Sequence, residues 1–314
     1  MDRIIGKYDG KQKGPLLIGL GGIHGNEPAG IEALELIFKM LEVEPLLNPE
    51  FKFKGRFLGL RGNLRAIGTN KRYIKKDLNR HWTPKNVQRI IQSNKSDLEA
   101  EDLEIREIMD IFQAEVKDYQ PEQIVLLDLH TTTAYGGIFT VVTDDPESLT
   151  IGLELHAPVV KGLLEGIKGT TLHFFNEQNI GIPTTAVCFE SGQHQEKLSV
   201  NRAIAAITNC MRTIGCVKAE HIENRHDKLL IEFSRGLPKV SQLILAYRIK
   251  ETDKFSMQPG YKNFQPVKKG EIIASDKKGS ISVIEDGHLL MPLYQKQGDD
   301  GFFLIKSVDD KLGI

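Results

Sequence analysis

The stretch Leu16-Leu17-Ile18-Gly19-Leu20-Gly21-Gly22-Ile23-His24-Gly25-Asn26-Glu27-Pro28 decides the fold class of this chain. Its apolar run, residues 16–20 between glycines, has the pattern of a strand buried on both faces. A helix is expected to follow. Asn26 can cap it, Pro28 suits its first turn, and Ile31, Leu34, Phe38 and Leu41 recur on one face. A buried strand running into an amphipathic helix opens a parallel α/β unit. The turn between them carries His24 and Glu27, and Gly25 lets the backbone fold tightly between these two candidate metal ligands.

The same alternation continues to about residue 215. Residues 51–60, 123–129, 137–143 and 183–190 have strand character, and 97–117 and 198–214 have helical periodicity with an apolar stripe. Residues 149–167 suggest a weaker helix bent near Pro158. From about Asn224 the texture changes to short β-prone runs at 229–233, 242–250, 279–284 and 302–307. The expected organisation is an α/β domain over residues 1–222, with a mixed, largely parallel sheet, and a smaller β-rich C-terminal domain over 223–314.

Composition narrows the function classes. The 314 residues carry 41 Lys+Arg against 42 Asp+Glu, so no global field points to nucleic acid or a membrane surface. No apolar run approaches the roughly 18 residues that span a bilayer. Residues 1–10 lack the apolar core of a secretory signal. Cys188, Cys210 and Cys216 share no metal-type spacing, and their odd number argues against a disulfide framework. A soluble, cytoplasmic protein is expected; self-association into a homo-oligomer is left open.

A third ligand is available in Leu127-Asp128-Leu129-His130. Asp128 and His130 lie two apart on a strand, on one face, at the C-terminal end where open α/β sheets hold their ligands. Two strand ends could therefore bring His24, Glu27 and His130 into one crevice, with Asp128 orienting an imidazole behind them. On these residues alone, a chance His-x-x-Glu pair and a satisfied Asp–His pair remain open alternatives. A dinucleotide loop is disfavoured, because His24 stands where its last glycine belongs and no Gly-Lys-Ser/Thr follows.

Four motifs together resemble the succinylglutamate desuccinylase/aspartoacylase family of the zinc carboxypeptidase clan. They are Gly22-Ile23-His24-Gly25-Asn26-Glu27, the segment Lys71 to Arg80 ending Asp77-Leu78-Asn79-Arg80, Asp128-Leu129-His130, and Phe189-Glu190-Ser191-Gly192. The resemblance implies a three-layer α/β zinc carboxypeptidase-like domain and one Zn2+ per chain on His24, Glu27 and His130. It also implies a deacylase that hydrolyses the amide of an N-acyl amino acid or similar small carboxylate.

Glu190, ending its own apolar strand, is the expected general base and later general acid. Arg72 resembles the family's carbonyl-polarising arginine, and Asn79 with Arg80 the pair that holds the substrate carboxylate. Asn63 sits where the family shows an asparagine, with a turn-forming role as the alternative. Cys188 shares the face of Glu190 as a packing residue, and His194 is close enough to line the pocket.

Two positions depart from aspartoacylase proper. Residues 169–189 contain no Arg or Lys where that enzyme carries an additional arginine, and Gly301-Phe302-Phe303-Leu304 offers no tyrosine hydroxyl. N-acetylaspartate is therefore not the expected substrate. The competing readings are a zinc carboxypeptidase acting on peptides or cell-wall stems, and a non-catalytic metal- or ligand-binding protein.

Overall fold

Strands that are apolar on both faces must be covered on both, and that requirement shapes the architecture. The computed structural model describes residues 1–218, 220 and 225–308. Among these, eleven strands form one sheet. In spatial order they are β1 (Ile4–Asp9), β3 (Lys54–Arg61), β2 (Gln12–Gly21), β4 (Ile124–Thr132), β7 (Thr184–Gln193), β5 (Phe139–Val142), β6 (Val159–Lys161), β8 (Val240–Arg248), β14 (Asp300–Ser307), β13 (Gly287–Leu290) and β10 (Gln265–Val267). Strands β3, β2, β4 and β7 are parallel, β5 runs antiparallel to β7, and β6 is parallel to both β5 and β8. A separate three-stranded sheet pairs β12 (Gly279–Ser282), β11 (Ile272–Asp276) and β9 (Ser256–Met257).

Helices complete a three-layer sandwich around the main sheet. One face is covered by α1 (Ala29–Leu47), α5 (Pro146–Glu154), α9 (Leu198–Thr213) and α10 (Arg225–Phe233), which pack on Leu17, Phe57, Val125, Leu127 and Phe189. The other face is covered by α3 (Pro84–Gln92), α4 (Glu101–Tyr119) and the single turns α6 (Leu163–Gly166), α7 (Thr171–Phe174) and α8 (Glu177–Ile180). Trp82, fully buried, packs there with Phe174 and Phe175 at centroid separations of 6.0 and 5.7 Å. Removing each such side chain from water contributes roughly 1.5–3 kcal/mol. No helix among the described residues is long and apolar enough to cross a membrane.

Three local expectations are corrected. Residues 149–167 do not form a bent helix; α5 ends at Glu154 and β6 inserts between β5 and β8 before α6 begins. The β-branched pair Val159-Val160 follows Pro158 and gains backbone pairing with two strands, which outweighs the weak helical periodicity. Residues 229–233 lie in α10 rather than in a strand, because Leu230 is buried against the helical layer and Arg212 of α9 holds Asp227 through two bonds of 3.0 and 2.9 Å. Asn26 does not cap α1. Pro28 occupies that position, and the Asn26 amide donates instead to Gln295 at 3.0 Å.

The runs at 242–250, 279–284 and 302–307 appear as β8, β12 and β14. Strands β8, β14, β13 and β10 extend the main sheet through β6. The boundary expected at 222–223 falls outside the described residues.

Candidate metal centre and active-site cleft

Strands β2, β4 and β7 all end at one side of the sheet, on the face covered by α3 and α4, and their C-terminal residues define the site. The turn after β2 requires glycine twice. Gly22 has φ +73°, and a Cβ on Gly25 would lie 2.1 Å from the carbonyl carbon of Ala66 in α2 (Leu64–Thr69). That close approach seats the His24–Glu27 turn against the loop that follows β3, and Gly25 N–H donates to Arg72 O at 3.2 Å. Glu101, fully buried in the first turn of α4, accepts from the backbone N–H groups of Ile74, Lys75 and Lys76 and from the Asn63 amide. One carboxylate thereby shapes the segment that carries Arg72, Asp77, Asn79 and Arg80.

The three expected ligands converge. Suitable atoms of His24, Glu27 and His130 lie within 4.8 Å of one another, and all three residues are buried. Glu27 Oε1 is 2.8 Å from His24 Nδ1; Oε2 is 3.0 Å from His130 Nδ1 and accepts Thr131 N–H at 3.0 Å. Each imidazole turns its other nitrogen to a second carboxylate. His24 Nε2 lies 3.2 Å from Asp77 Oδ1, and His130 Nε2 lies 3.1 Å from Asp128 Oδ2, off the hydrogen-bonding direction.

Burial alone would raise the Glu27 carboxyl, yet the two imidazoles outweigh it and hold it well below the usual carboxylate range. Burial would likewise lower the His130 imidazole, but Asp128 and Glu27 raise it well above its usual value. Two imidazole nitrogens and a carboxylate oxygen, each imidazole backed by a carboxylate, form the donor set that a catalytic zinc ion takes. The residues present fit that ion.

Around this cluster lies an open cleft. Arg72 gives Nε and Nη2 to Asp77 at 3.1 and 3.0 Å and leaves Nη1 directed at the cluster, 3.7 Å from Glu27 Oε1. Glu190 is paired in register with His130 on the neighbouring strand, and its Oε2 is buried without a partner. Burial pushes its carboxyl up to about 8. Asn79 and Arg80 line the cleft from a single 3-10 turn, Leu78–Arg80. Arg80 Nη2 is held by Asp300 at 2.6 Å and Nη1 by the Asn79 carbonyl at 2.8 Å. His194 bonds Thr131 Oγ1 through Nδ1 at 2.7 Å, leaving Nε2 buried and unpartnered. Burial pushes the Cys188 thiol well up, so that residue packs rather than reacts.

Asn63 is the site residue that falls elsewhere. Fully buried at the N-cap of α2, it accepts from Ala66 N–H at 3.1 Å and donates to Glu101 at 3.2 Å, outside the cleft. Both ends of its amide are committed, which favours the turn-forming role. Four participants were not foreseen: Asp77, Glu101, Thr171 and Asp300. Asp77 lies inside the motif that ends at Arg80 and orients both His24 and Arg72. Thr171 donates to Asp128 Oδ2 at 2.5 Å and takes Asn79 Oδ1 on its N–H at 3.0 Å, tying two motifs together. The sequence signal for Glu101 is only an acidic residue in the first turn of a helix, shared with Asp102 and Glu104.

Comparison with known proteins agrees with this geometry. The family model described as "Succinylglutamate desuccinylase/Aspartoacylase catalytic domain" matches residues 13–214. A "Probable aspartoacylase" from Nostoc sp. is 34% identical over 128 residues, a match covering 40% of this chain and 39% of that relative's length. The chain is similar in fold to a solved succinylglutamate desuccinylase/aspartoacylase from Rhodobacter sphaeroides (TM-score 0.65, 16% identity, 97% of this chain and 88% of that one). It is likewise similar in fold to murine aminoacylase 3 (TM-score 0.59, 17% identity, 94% and 96%).

Proposed function

Since the chain belongs to the succinylglutamate desuccinylase/aspartoacylase family, a family of amide-hydrolysing deacylases, we propose that it is a zinc-dependent hydrolase removing the acyl group from an N-acyl amino acid or similar small carboxylate. The observation that carries this reading is the meeting of His24, Glu27 and His130 at the base of a cleft that also holds Arg72 and Glu190.

His24 and His130 would hold the ion through Nδ1, and Glu27 through its carboxylate. Bound there, zinc supplies the Lewis acidity that polarises an amide carbonyl and acidifies water. The chain's own groups do the rest. Glu190, with one oxygen buried and unpartnered, accepts the proton of the attacking water and delivers it to the leaving amine. Arg72, fixed by Asp77, keeps Nη1 free to face the oxyanion as charge develops, an interaction whose loss typically costs about 10² to 10³ in turnover. Arg80, from the same turn as Asn79, offers the planar guanidinium that a substrate carboxylate matches. Asp77 and Asp128 hold the two imidazoles in orientation.

Metal analysis of the purified protein is expected to find one zinc per chain. Hydrolysis of N-acyl amino acids is expected to disappear with a chelator, return with zinc, and fall by orders of magnitude in Glu190→Gln. Undiminished turnover after chelation or in that variant would refute the mechanism.

A further inference from the structure

The cleft has two chemically different ends. At one, His24, Glu27 and His130 sit beneath Arg72 and Glu190. From there it continues across the sheet face toward β5, β6 and β14, where its lining becomes aliphatic and aromatic. Val141 of β5 and Phe303 of β14 form the floor, and Leu163, Leu164, Ile167 and Leu172 form the wall. Cys188, paired in register with Val141, continues that floor to Glu190. A bulge between Asp300 and Phe302 resets the alternation of β14, so that Asp300 and Phe303 both face the cleft.

The charges are distributed unevenly. Among the described residues, Arg72 and Arg80 are the lysine or arginine residues that line the cleft, against Glu27, Asp128, Glu190, Asp299 and Asp300. Arg72 is paired with Asp77 and keeps Nη1 for the reacting carbonyl; Arg80 is paired with Asp300 and keeps Nε, buried and unpartnered, for one carboxylate, so no cation remains for a second. No cation among the described residues lines the apolar lobe, and residues 169–189, which supply part of its wall, contain no Arg or Lys. A carboxylate entering the lobe would lose its hydration without gaining a partner.

We propose that the substrate carries one carboxylate, taken at Arg80, and one uncharged aliphatic or aromatic group that fills this lobe, and that dicarboxylic acyl amino acids are rejected. This rests on the deacylase reading for the reaction but on the lining alone for the selectivity.

Isothermal titration of the purified Glu190→Gln protein, which binds without turning over, separates the two. N-hexanoylglycine places the apolar group on the acyl side and N-acetylphenylalanine on the amino-acid side. At least one is expected to bind roughly tenfold or more tighter than N-succinylglutamate and N-acetylaspartate, and the tighter of the two tells which side occupies the lobe. Leu164→Lys, at a half-buried wall position, is expected to weaken the apolar ligand and strengthen N-succinylglutamate.

Equal or tighter binding of the dicarboxylates by the Glu190→Gln protein would overturn the proposal, as would no binding of either apolar ligand. The same panel offered to the unmodified zinc-supplemented protein tests the reaction separately. Hydrolysis confined to dicarboxylates overturns the selectivity and leaves the deacylase intact. Selective apolar binding with no hydrolysis does the reverse.

Discussion

Glu190 should make the metal-free protein lose stability as pH rises, and removing its charge should abolish that loss. Its carboxyl is buried, with Oε2 unpartnered, and is pushed from an ordinary 4.5 up to about 8. The folded chain therefore holds this proton over a range where the unfolded chain releases it. Folding stability from this group is fully present below pH 4.5 and declines as pH rises, levelling off above about 8. Since each pH unit across that range costs about 1.36 kcal/mol, the loss is of order 3 kcal/mol by neutral pH.

Glu190→Gln keeps the shape and removes the titration. Urea denaturation of both proteins, in the presence of a chelator, reads the difference directly. The variant's advantage over the unmodified protein is expected to grow by about 3 kcal/mol between roughly pH 5 and 7.5. Parallel stability–pH profiles would refute the claim that burial holds this carboxyl in its neutral form. With zinc bound, the positive charge beside it would favour the carboxylate form that the general-base role needs.

Two further substitutions test the supporting groups. Asp77→Asn leaves His24, Glu27 and His130 in place but weakens the partner of His24 Nε2, so zinc affinity measured by competition with a chromophoric chelator should fall about 10- to 100-fold. Unchanged affinity would show that Asp77 serves Arg72 alone. Asp300→Asn releases Arg80 and removes a buried charge shared with Arg248, whose Nη1 lies 2.6 Å away. It should lower stability by about 2 kcal/mol and lower KM for a monocarboxylate with kcat little changed. A raised KM would mean that Asp300 positions Arg80 rather than competing for it.

The parts of the fold legible in the sequence share one property: their signals are local. Strands β2, β4 and β7 read as apolar runs because both their faces are covered, and α1, α4 and α9 declared themselves by an apolar stripe. His24, Glu27, Asp128, His130 and Glu190 were legible because each lies in such a strand, past its apolar run or in the C-terminal part of it, or in the turn beyond. The three-residue strand β6 and the helix α10 were misread, since runs that short have no distinguishing period and take their form from their neighbours. Asp300 was illegible as a site residue for a related reason. It meets Arg80 across 220 positions of chain, and nothing in either local sequence announces the other. The aliphatic lobe was likewise hidden, assembled from separate elements whose residues look like ordinary core.

Phe303 and Asp300 belong to the strand that, paired with β8, carries the central sheet outward past β6. A fragment ending at residue 214, where the family match stops, would strip one edge of β6 bare and also take Phe303 from the floor of the lobe. On the selectivity proposed above, the strand that closes the sheet beyond β8 is also one that selects the substrate. A C-terminal segment taken from another protein would have to offer β6 a first strand that pairs with it as β8 does, and would bring its own residue to the place of Phe303.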